Sequence, residues 1–329
     1  MADLRAGLIG LGSMGRNHAR NLRAIDGVDL VAVADAKGDP FGVAGGLEVK
    51  PNVEALIEEG IDYCVVAAPT VFHEEIGLAL AEAGVHALIE KPLAKTTEAA
   101  KNLAQAFEDK GVIGAVGHIE RYNPALQSLR KRLEAGDLGD LYQIATRRQG
   151  PFPNRIADVG VIKDLASHDV DLTAWVTQRR YEVVGARSMF KSGREFEDMV
   201  SATCTLTGGL MSNHLVNWLS PTKERLTIVT GEKGMFVADT LTADLTFFAN
   251  GTVATVWEDI AQFRGVSEGD MTRFAIAKPE PLRTEHEQFR DAVLGKEADI
   301  VTLEQGAKVV QVCEAMIESA ATNQFVTID

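Results

Sequence analysis

The segment at residues 163–175, KDLASHDVDLTAW, places chemically capable polar side chains in an otherwise apolar helical pattern. Asp164, His168 and Asp171 are spaced so that they share one face of a helix. Asp169 points elsewhere. A polar group beside apolar neighbours needs either a partner or a function. Three interpretations are open at this point: a metal site, a histidine base with an orienting carboxylate, or a solvated helix face.

A glycine-rich turn near the N-terminus has the spacing of a dinucleotide-binding loop. Gly10, Gly12 and Gly15 form a G-x-G-x-x-G pattern that follows a predicted strand and opens a predicted helix. The first glycine permits a tight turn, the second lets the backbone approach a pyrophosphate, and the third allows close helix–strand packing. The N-terminus of the helix then presents N–H groups to the phosphates. The predicted cofactor-binding residues of this turn are Gly10, Leu11, Gly12, Ser13, Met14 and Gly15.

A carboxylate at the end of the second predicted strand favours NAD over NADP. Asp35 ends the stretch VDLVAVAD, about 20 residues beyond the glycines, where a carboxylate can bind both ribose hydroxyls. The 2′-phosphate of NADP would meet a negative charge there. Lys37 lies close by, so NADP stays open as the less favoured cofactor.

The stretch ALIEKPLAKT places a lysine where open α/β sheets bind their ligands. Glu90, Lys91 and Pro92 come at the carboxyl end of another predicted parallel strand. A single lysine after a strand is ordinarily a surface charge. Its combination with the glycine turn, Asp35 and the helix at 164–175 favours a functional position near the nicotinamide.

The elements that position these residues follow two patterns along the chain. Up to residue 118, apolar strands alternate with helices, which predicts a parallel Rossmann sheet covered by helices on both faces. From 119 the pattern changes to helices, long strand-like stretches joined by turns, and C-terminal helices. We therefore predict an α/β chain with an NAD-binding Rossmann domain at 1–118. An α+β domain at 119–329, with a large open and mostly antiparallel sheet, is expected to bind substrate and to mediate oligomerisation.

Composition and charge narrow the class of protein. The 329 residues, 46% hydrophobic and 24% charged, are typical of globular chains. A net charge of −14 argues against a nucleic-acid or membrane partner, and no apolar run approaches the roughly 20 residues that span a bilayer. The N-terminus leaves no room for a signal peptide, and the three cysteines lack metal-like spacing. We expect a cytoplasmic homodimer or homotetramer in which the open C-terminal sheet is covered.

Together, these motifs resemble the glucose–fructose oxidoreductase / inositol dehydrogenase family of NAD(P)-dependent sugar oxidoreductases. The resemblance rests on the glycine turn, Glu-Lys-Pro at 90–92, Asp-x-x-x-His at 164–168, AAPTVFH at 67–73 and EHEQFRDAV at 285–293. It covers nearly the whole chain and implies a Rossmann domain followed by an open-sheet α+β domain. The stretches GHIERYNPAL and RRQGPFPNRIADVGVIKDLASHDVDL are similar to the nucleotide-sugar branch, which includes UDP-N-acetylglucosamine 3-dehydrogenases.

The resemblance implies a role for each residue of the motifs. His168 would be the general base on the substrate hydroxyl, Asp164 would orient its imidazole, and Lys91 would hydrogen-bond the reacting oxygen. Whether Lys91 or His168 takes the proton stays open. Asp171 would be structural, and no metal is expected because hydride transfer to a nicotinamide needs none. The further residues expected at the cofactor are Ala68, Pro69, Thr70, His73, Glu90 and Lys91, with a purely structural role as the alternative for His73.

Basic residues around the expected pocket indicate a phosphorylated substrate. Arginine side chains suit a diphosphate, so a nucleotide sugar is physically reasonable, and the alternative for each is a solvated or inter-subunit charge. These basic residues are Arg121, Arg147, Arg148, Arg155, Lys163, Lys223 and Arg225. The predicted substrate-binding residues are Lys91, His118, Arg121, Tyr122, Arg148, Asn154, Arg155, Asp164, His168 and Asn217.

These observations favour an NAD-dependent dehydrogenase that oxidises a secondary hydroxyl of a sugar or nucleotide sugar. The best-fitting substrate is of the UDP-N-acetylglucosamine type, oxidised at the 3-position. An inositol, free-sugar or dihydrodiol-type dehydrogenase is the alternative on the same fold. A non-catalytic NAD-binding regulatory protein is the alternative from a different class, because fold by itself does not establish function.

Overall fold

The computed structural model describes residues 3–152, 159–251 and 269–328, and the chain forms two compact units. The first unit comprises Met1–Ile119 and Pro279–Glu314, and the second comprises Glu120–Lys278 and Ala315–Asp329. The predicted second domain, 119–329, differs from the second unit because Pro279–Glu314 belongs to the first. The apolar side chains of this segment, including Phe289 and Leu303, are buried in the core of the first unit.

In the first unit, the described residues form a six-stranded parallel sheet. Its strands are β1 (Leu4–Ile9), β2 (Val28–Ala34), β3 (Val49–Lys50), β4 (Tyr63–Val66), β5 (His86–Glu90) and β6 (Gly114–Gly117). The spatial order is β3-β2-β1-β4-β5-β6, the order typical of dinucleotide-binding folds, and every pairing is parallel. The predicted parallel Rossmann sheet is therefore confirmed.

Apolar residues make this sheet a central layer because both of its faces are covered. The strand β4, YCVV, is buried at every position, as expected for a strand between two helical layers. Successive residues of a strand face opposite sides, so Val65 and Val66 enter different hydrophobic clusters. The α-helices among the described residues are α1 (Ser13–Leu22), α2 (Val53–Ile57), α3 (His73–Glu82), α4 (Thr97–Lys110), α5 (Pro124–Glu134), α6 (Ser167–Thr177), α7 (Pro281–Val293) and α8 (Leu303–Thr322).

The second unit contains a nine-stranded mixed sheet among its described residues. Its strands are β7 (Leu141–Pro151), β8 (Tyr181–Met189), β9 (Met199–Leu206), β10 (Leu210–Asn217), β11 (Leu219–Gly231), β12 (Gly234–Asp239), β13 (Asp244–Ala249), β14 (Met271–Arg273) and β15 (Val326–Thr327). The order is β14-β13-β12-β11-β7-β10-β9-β8-β15, and β7 with β10 is a parallel pair in an otherwise antiparallel arrangement. The predicted large, mostly antiparallel sheet is confirmed.

The burial of the central strands alternates, which indicates one covered and one more exposed face. In β10, Ser212 and His214 are buried, whereas Met211 and Asn213 on the opposite side are partly or largely exposed. Helices α5 and α6 pack with strands of this unit. Homo-oligomerisation through the more exposed face remains a prediction. None of the helices in the described part of the chain combines the length and apolar character needed to span a bilayer.

Candidate functional site

The glycine turn between β1 and α1 has the geometry of a phosphate-binding loop. Gly10 has φ +95°, and a Cβ atom there would lie 2.5 Å from the backbone of Ala67. A Cβ atom on Gly15 would lie 1.9 Å from the Gly10 carbonyl oxygen, so these two glycines are required by backbone packing. At Gly12, in contrast, a Cβ atom would meet nothing within 4 Å. The space beside Gly12, at the N-terminus of α1, fits the pyrophosphate of a dinucleotide.

Asp35 joins the end of β2 to this turn. One carboxylate oxygen accepts the backbone N–H of Leu11 at 2.8 Å, and the other accepts that of Lys37 at 2.8 Å. A carboxylate oxygen has further acceptor capacity after one such bond, so both oxygens can still accept ribose hydroxyls. The Lys37 residue is exposed. The arrangement therefore fits a dinucleotide with a free 2′-hydroxyl.

The remaining predicted cofactor residues lie at the same edge of the first sheet. Parallel strands end at a common edge, and β1, β2, β4, β5 and β6 are followed in turn by the glycine turn, Asp35, Ala68–Thr70, Lys91 and His118. The tertiary structure thus assembles these residues within one unit. The NAD chemistry predicted for them remains a proposal at the level of individual residues.

Glu90, the last residue of β5, is buried and fully engaged. One carboxylate oxygen is 2.8 Å from His18 Nε2, and the other accepts the backbone N–H of Lys91 at 3.0 Å. Burial raises the pKa of the Glu90 carboxyl, but the hydrogen bond from His18 and the charges of His18 and Lys91 outweigh it and hold the pKa below its usual value. Glu90 is therefore an ionised carboxylate directly before Lys91.

His73 connects two of the loops at this edge. Its Nδ1 is 3.0 Å from the carbonyl oxygen of Pro92, and its Nε2 is 2.9 Å from that of Ala68. The side chain is buried, and burial lowers the pKa of the imidazole. His73 therefore has both ring nitrogens against backbone carbonyls, while its predicted contact with the cofactor stays a prediction. It holds the loops that follow β4 and β5.

In the second unit, Asp164 and His168 lie where a π-helical segment meets an α-helix. The segment Ile162–Ala166 is π-helical and leads directly into α6, which begins at Ser167. Both side chains are buried, Asp164 at 4% and His168 at 9% exposure. Sequence periodicity predicted an ordinary helix over this stretch. Insertions of π-helix are frequent at functional sites.

Two carboxylates that follow His168 on the same helix, Asp169 and Asp171, form buried ion pairs. Arg121 binds Asp171 through Nε, at 2.9 Å from Oδ2, and through Nη2, at 2.6 Å from Oδ1. Arg148 Nε lies 2.8 Å from Asp169, and its Nη1 lies 2.8 Å from Glu120. Burial disfavours the charge on Arg148, but the two carboxylates more than offset this and raise its pKa. Asp169, to which the sequence assigned no role, is thus the buried partner of Arg148.

These pairs change the expected distribution of substrate contacts. The guanidinium groups of Arg121 and Arg148 bind buried carboxylates of the protein, so they are less suited to bind the diphosphate of a substrate. Asn217 is engaged as well, because its Oδ1 accepts the N–H groups of Leu219 and Ser220 in a local turn. Tyr122 and His118 are buried in their respective units. Asn154 and Arg155 lie outside the described residues.

The carboxylates of this region are not arranged as a metal centre. Asp171, which shares a helix face with Asp164 and His168 in the sequence pattern, is bound by Arg121. Within residues 3–152, 159–251 and 269–328, no group of three or more His, Cys, Asp or Glu side chains could hold a metal ion. The described geometry therefore offers no support for the metal interpretation.

Sequence reasoning missed His18 and His286. His18 follows the glycine turn on α1, where Gly15, Ala19 and Leu22 are also buried. The spacing of these four residues marks the inner face of the helix and was the available signal. His286 lies on α7, and no local pattern relates it to the glycine turn.

Two regions of the chain match models of known protein families. Residues 4–118 match an oxidoreductase family with an NAD-binding Rossmann fold, and residues 126–237 match the GFO/IDH/MocA C-terminal domain. The two matches follow each other in the order of the parallel and mixed sheets described above.

Individual relatives are dehydrogenases. A UDP-N-acetylglucosamine 3-dehydrogenase of Acidithiobacillus ferrooxidans is 36% identical over 65% of this chain and 66% of its own length. A scyllo-inositol 2-dehydrogenase (NAD(+)) of Bacillus subtilis is 32% identical over 53% of this chain and 54% of its own length. The match therefore spans less than two thirds of either relative. Among solved structures, UDP-N-acetylglucosamine 3-dehydrogenase GnnA from Acidithiobacillus ferrooxidans superposes with a TM-score of 0.87 at 28% identity, over 98% of this chain and 99% of that chain.

Proposed function

Because this chain belongs to the GFO/IDH/MocA oxidoreductase family, we propose that it is an NAD-dependent dehydrogenase that oxidises a secondary hydroxyl of a sugar or nucleotide sugar. The observation that carries the proposal is the grouping of the glycine turn, Asp35 and Lys91 at one edge of the parallel sheet. That edge fits a dinucleotide and places a cationic side chain after β5, where ligands of such sheets bind.

In the proposed reaction, the substrate alcohol loses a proton from its oxygen and a hydride from its carbon. When bound, NAD supplies the hydride acceptor. Lys91 hydrogen-bonds the substrate oxygen and stabilises the negative charge that develops there. His168 accepts the hydroxyl proton, and Asp164 orients its imidazole. Lys91 is the alternative to His168 as the group that takes the proton.

A nucleotide sugar of the UDP-N-acetylglucosamine type, oxidised at the 3-position, is the proposed substrate. The named activity of the relative at 36% identity and that of the solved structure with TM-score 0.87 support it. Since Arg121 and Arg148 are paired internally, we assign the diphosphate to other groups, with Arg155 as the candidate from the sequence. The second candidate substrate is an inositol, which the inositol dehydrogenase relative favours.

A turnover assay separates these substrates. The protein is incubated with NAD and, in separate reactions, with UDP-N-acetylglucosamine, other UDP-sugars, inositols and free hexoses, while NADH absorbance is followed. Turnover of UDP-N-acetylglucosamine alone supports the nucleotide-sugar proposal, and turnover of an inositol alone replaces it. NAD binding without turnover of any alcohol would identify a binding protein.

Variants test the residue assignments. Lys91→Met and His168→Asn are expected to lower kcat by about 10²-fold or more, because each removes a group that acts on the reacting oxygen. Lys101→Met, at an exposed position of α4, is the matched control and is expected to keep normal kcat. Normal kcat in Lys91→Met would contradict the assignment.

A further inference from the structure

A buried chain of three side chains ends beside Lys91. His286 Nε2 is 2.9 Å from His18 Nδ1, and His18 Nε2 is 2.8 Å from Glu90 Oε1. Exposure is 1% for His286, 0% for His18 and 9% for Glu90. The chain links α7, α1 and the end of β5 within the first unit. Its members are far apart in sequence, so the contact is a product of the tertiary fold.

The hydrogen bond at the Glu90 end of this chain has a definite direction. The Glu90 carboxylate can only accept, so His18 Nε2 carries a hydrogen. His18 Nδ1 and His286 Nε2 share one hydrogen between them, and the tautomer and charge of His18 set which nitrogen donates. Burial, and then the nearby His18, lower the pKa of His286 well below its usual value, which keeps His286 neutral. The chain therefore connects His286 through His18 to Glu90, and its direction is fixed at the Glu90 end, where the carboxylate accepts.

At its Glu90 end, this chain of side chains contacts Lys91. The second oxygen of Glu90 accepts the Lys91 backbone N–H. Glu90 is also packed tightly from the neighbouring strand, because a Cβ atom on Gly117 would lie 3.3 Å from its carboxyl group. The carboxylate is thereby held in one orientation. The other titratable groups that act on it are His18 and Lys91, and Glu90 in turn acts on His73.

We propose that His18 and His286 are positioning residues for Lys91, which they serve by holding the Glu90 carboxylate in one orientation beside it. The inference rests on the proposed role of Lys91 in alcohol oxidation. In that reaction, a fixed carboxylate that accepts the Lys91 backbone N–H holds this residue in place while the substrate oxygen loses its proton. The alternative is that the three side chains only join three elements.

Substitution of His18 separates the two possibilities. His18→Leu removes the donor to Glu90, so the effect of burial is opposed less strongly and the pKa of Glu90 rises. We expect kcat to fall about 10-fold or more and the acid limb of the kcat/KM profile to move up by about one pH unit. His18→Gln carries an amide N–H that can reach Glu90, and we expect it to recover most of kcat and the original acid limb. Thermal unfolding of each variant, and its KM for NAD, are measured alongside.

His286 and Glu90 provide the second arm of the experiment. His286→Leu is expected to produce the same changes as His18→Leu in smaller size, because it acts through His18. In a Glu90→Gln background, His18→Leu is expected to cause no further shift of the acid limb, since the group it acts on no longer titrates. Long-range ¹⁵N–¹H correlation spectra of the wild type should show His18 protonated at Nε2. This measurement tests the His18–Glu90 hydrogen bond independently of enzyme activity.

The outcomes distinguish this inference from the proposed function. A His18→Leu variant with normal kcat and an unmoved acid limb, but a lower Tm, would overturn the positioning role and leave a structural one. The same holds if His18→Gln performs no better than His18→Leu. Absence of turnover in the wild type would overturn the proposed function and this inference with it, whereas failure of the variants alone overturns only the inference.

Discussion

At the scale of single residues, the three glycines of the N-terminal turn have different reasons to be glycine. Gly10 and Gly15 are required by contacts within the protein, whereas the space at Gly12 is open. Within this one sequence motif, two glycines are therefore needed for packing, and the third leaves space for a ligand. Substitutions can separate the two.

Gly12→Val is expected to weaken NAD binding without weakening the fold. Gly12 has φ −75°, which a side chain tolerates, and its Cβ would enter the open space proposed for the pyrophosphate. We expect the Kd for NAD, measured by calorimetry, to rise about 10-fold or more, a loss of about 1.4 kcal/mol. Gly15→Ala is the comparison: its Cβ would clash with the Gly10 carbonyl, so its Tm should fall clearly. An unchanged Kd in Gly12→Val would contradict the pyrophosphate assignment.

At the scale of secondary-structure elements, α6 is held by buried ion pairs in addition to its buried apolar side chains. Most of its residues are buried, including three that carry charge or can carry it: His168, Asp169 and Asp171. A helix with so many buried polar groups needs partners from elsewhere. Arg121 and Arg148 supply two of them, and they fix the helix that carries the proposed base.

The Arg121–Asp171 pair is expected to behave as a buried salt bridge. Asp171→Asn or Arg121→Met alone leaves an uncompensated buried charge and should lower the free energy of unfolding by about 3–5 kcal/mol. The double variant Arg121→Met/Asp171→Leu removes both charges and should recover a large part of that loss. Urea denaturation followed by tryptophan fluorescence measures this, because all three tryptophans fall within Glu120–Lys278.

A double variant as unstable as the sum of its single variants would contradict this account. The exposed pair Arg283–Glu287 on α7 is the matched control, and its unfolding is followed by circular dichroism because α7 belongs to the first unit, which contains no tryptophan. Its single substitutions should change the free energy of unfolding by less than about 1 kcal/mol, since solvent screens an exposed pair.

At the scale of the whole molecule, both units contain neutral histidines buried in their cores. In the second unit, His214 accepts or donates hydrogen bonds with Thr146 and Tyr181, and burial lowers its pKa to about 4. In the first unit, burial lowers the pKa of His73 and His286 in the same direction. In mild acid, these histidines therefore bind protons more weakly in the folded chain than in the unfolded chain.

This predicts a loss of stability in mild acid. Below the unfolded histidine pKa of about 6.5, the unfolded chain binds protons that folded His214 does not, so the free energy of unfolding falls as the pH drops from about 6.5 towards 4. For His214 alone the full effect is about 3 kcal/mol. Denaturation curves followed by tryptophan fluorescence at pH 7.5, 6, 5 and 4.5 measure the slope. His214→Gln should flatten it, and an unchanged slope in that variant would contradict the assignment.

What the sequence by itself determined is local. Strand and helix periods, the glycine spacing and the strand end before Lys91 predicted the parallel sheet, the large, mostly antiparallel second sheet and the edge that fits a dinucleotide. These features depend on neighbouring residues, whose geometry the backbone dictates. Sequence periodicity also placed His168 and Asp164 on one helix, although it did not indicate the π-helical segment.

What only the tertiary structure decided is the pairing of distant polar groups. His18 and His286 are 268 residues apart in sequence, yet they share a hydrogen bond, and Arg148 and Arg121 find carboxylates on α6. The same holds for Pro279–Glu314, which packs with the first unit although it follows the second in sequence. A local pattern shows that a side chain is polar or that a helix has an apolar face. The partner is selected only when folding buries the group and the cost of desolvation forces it to be paired.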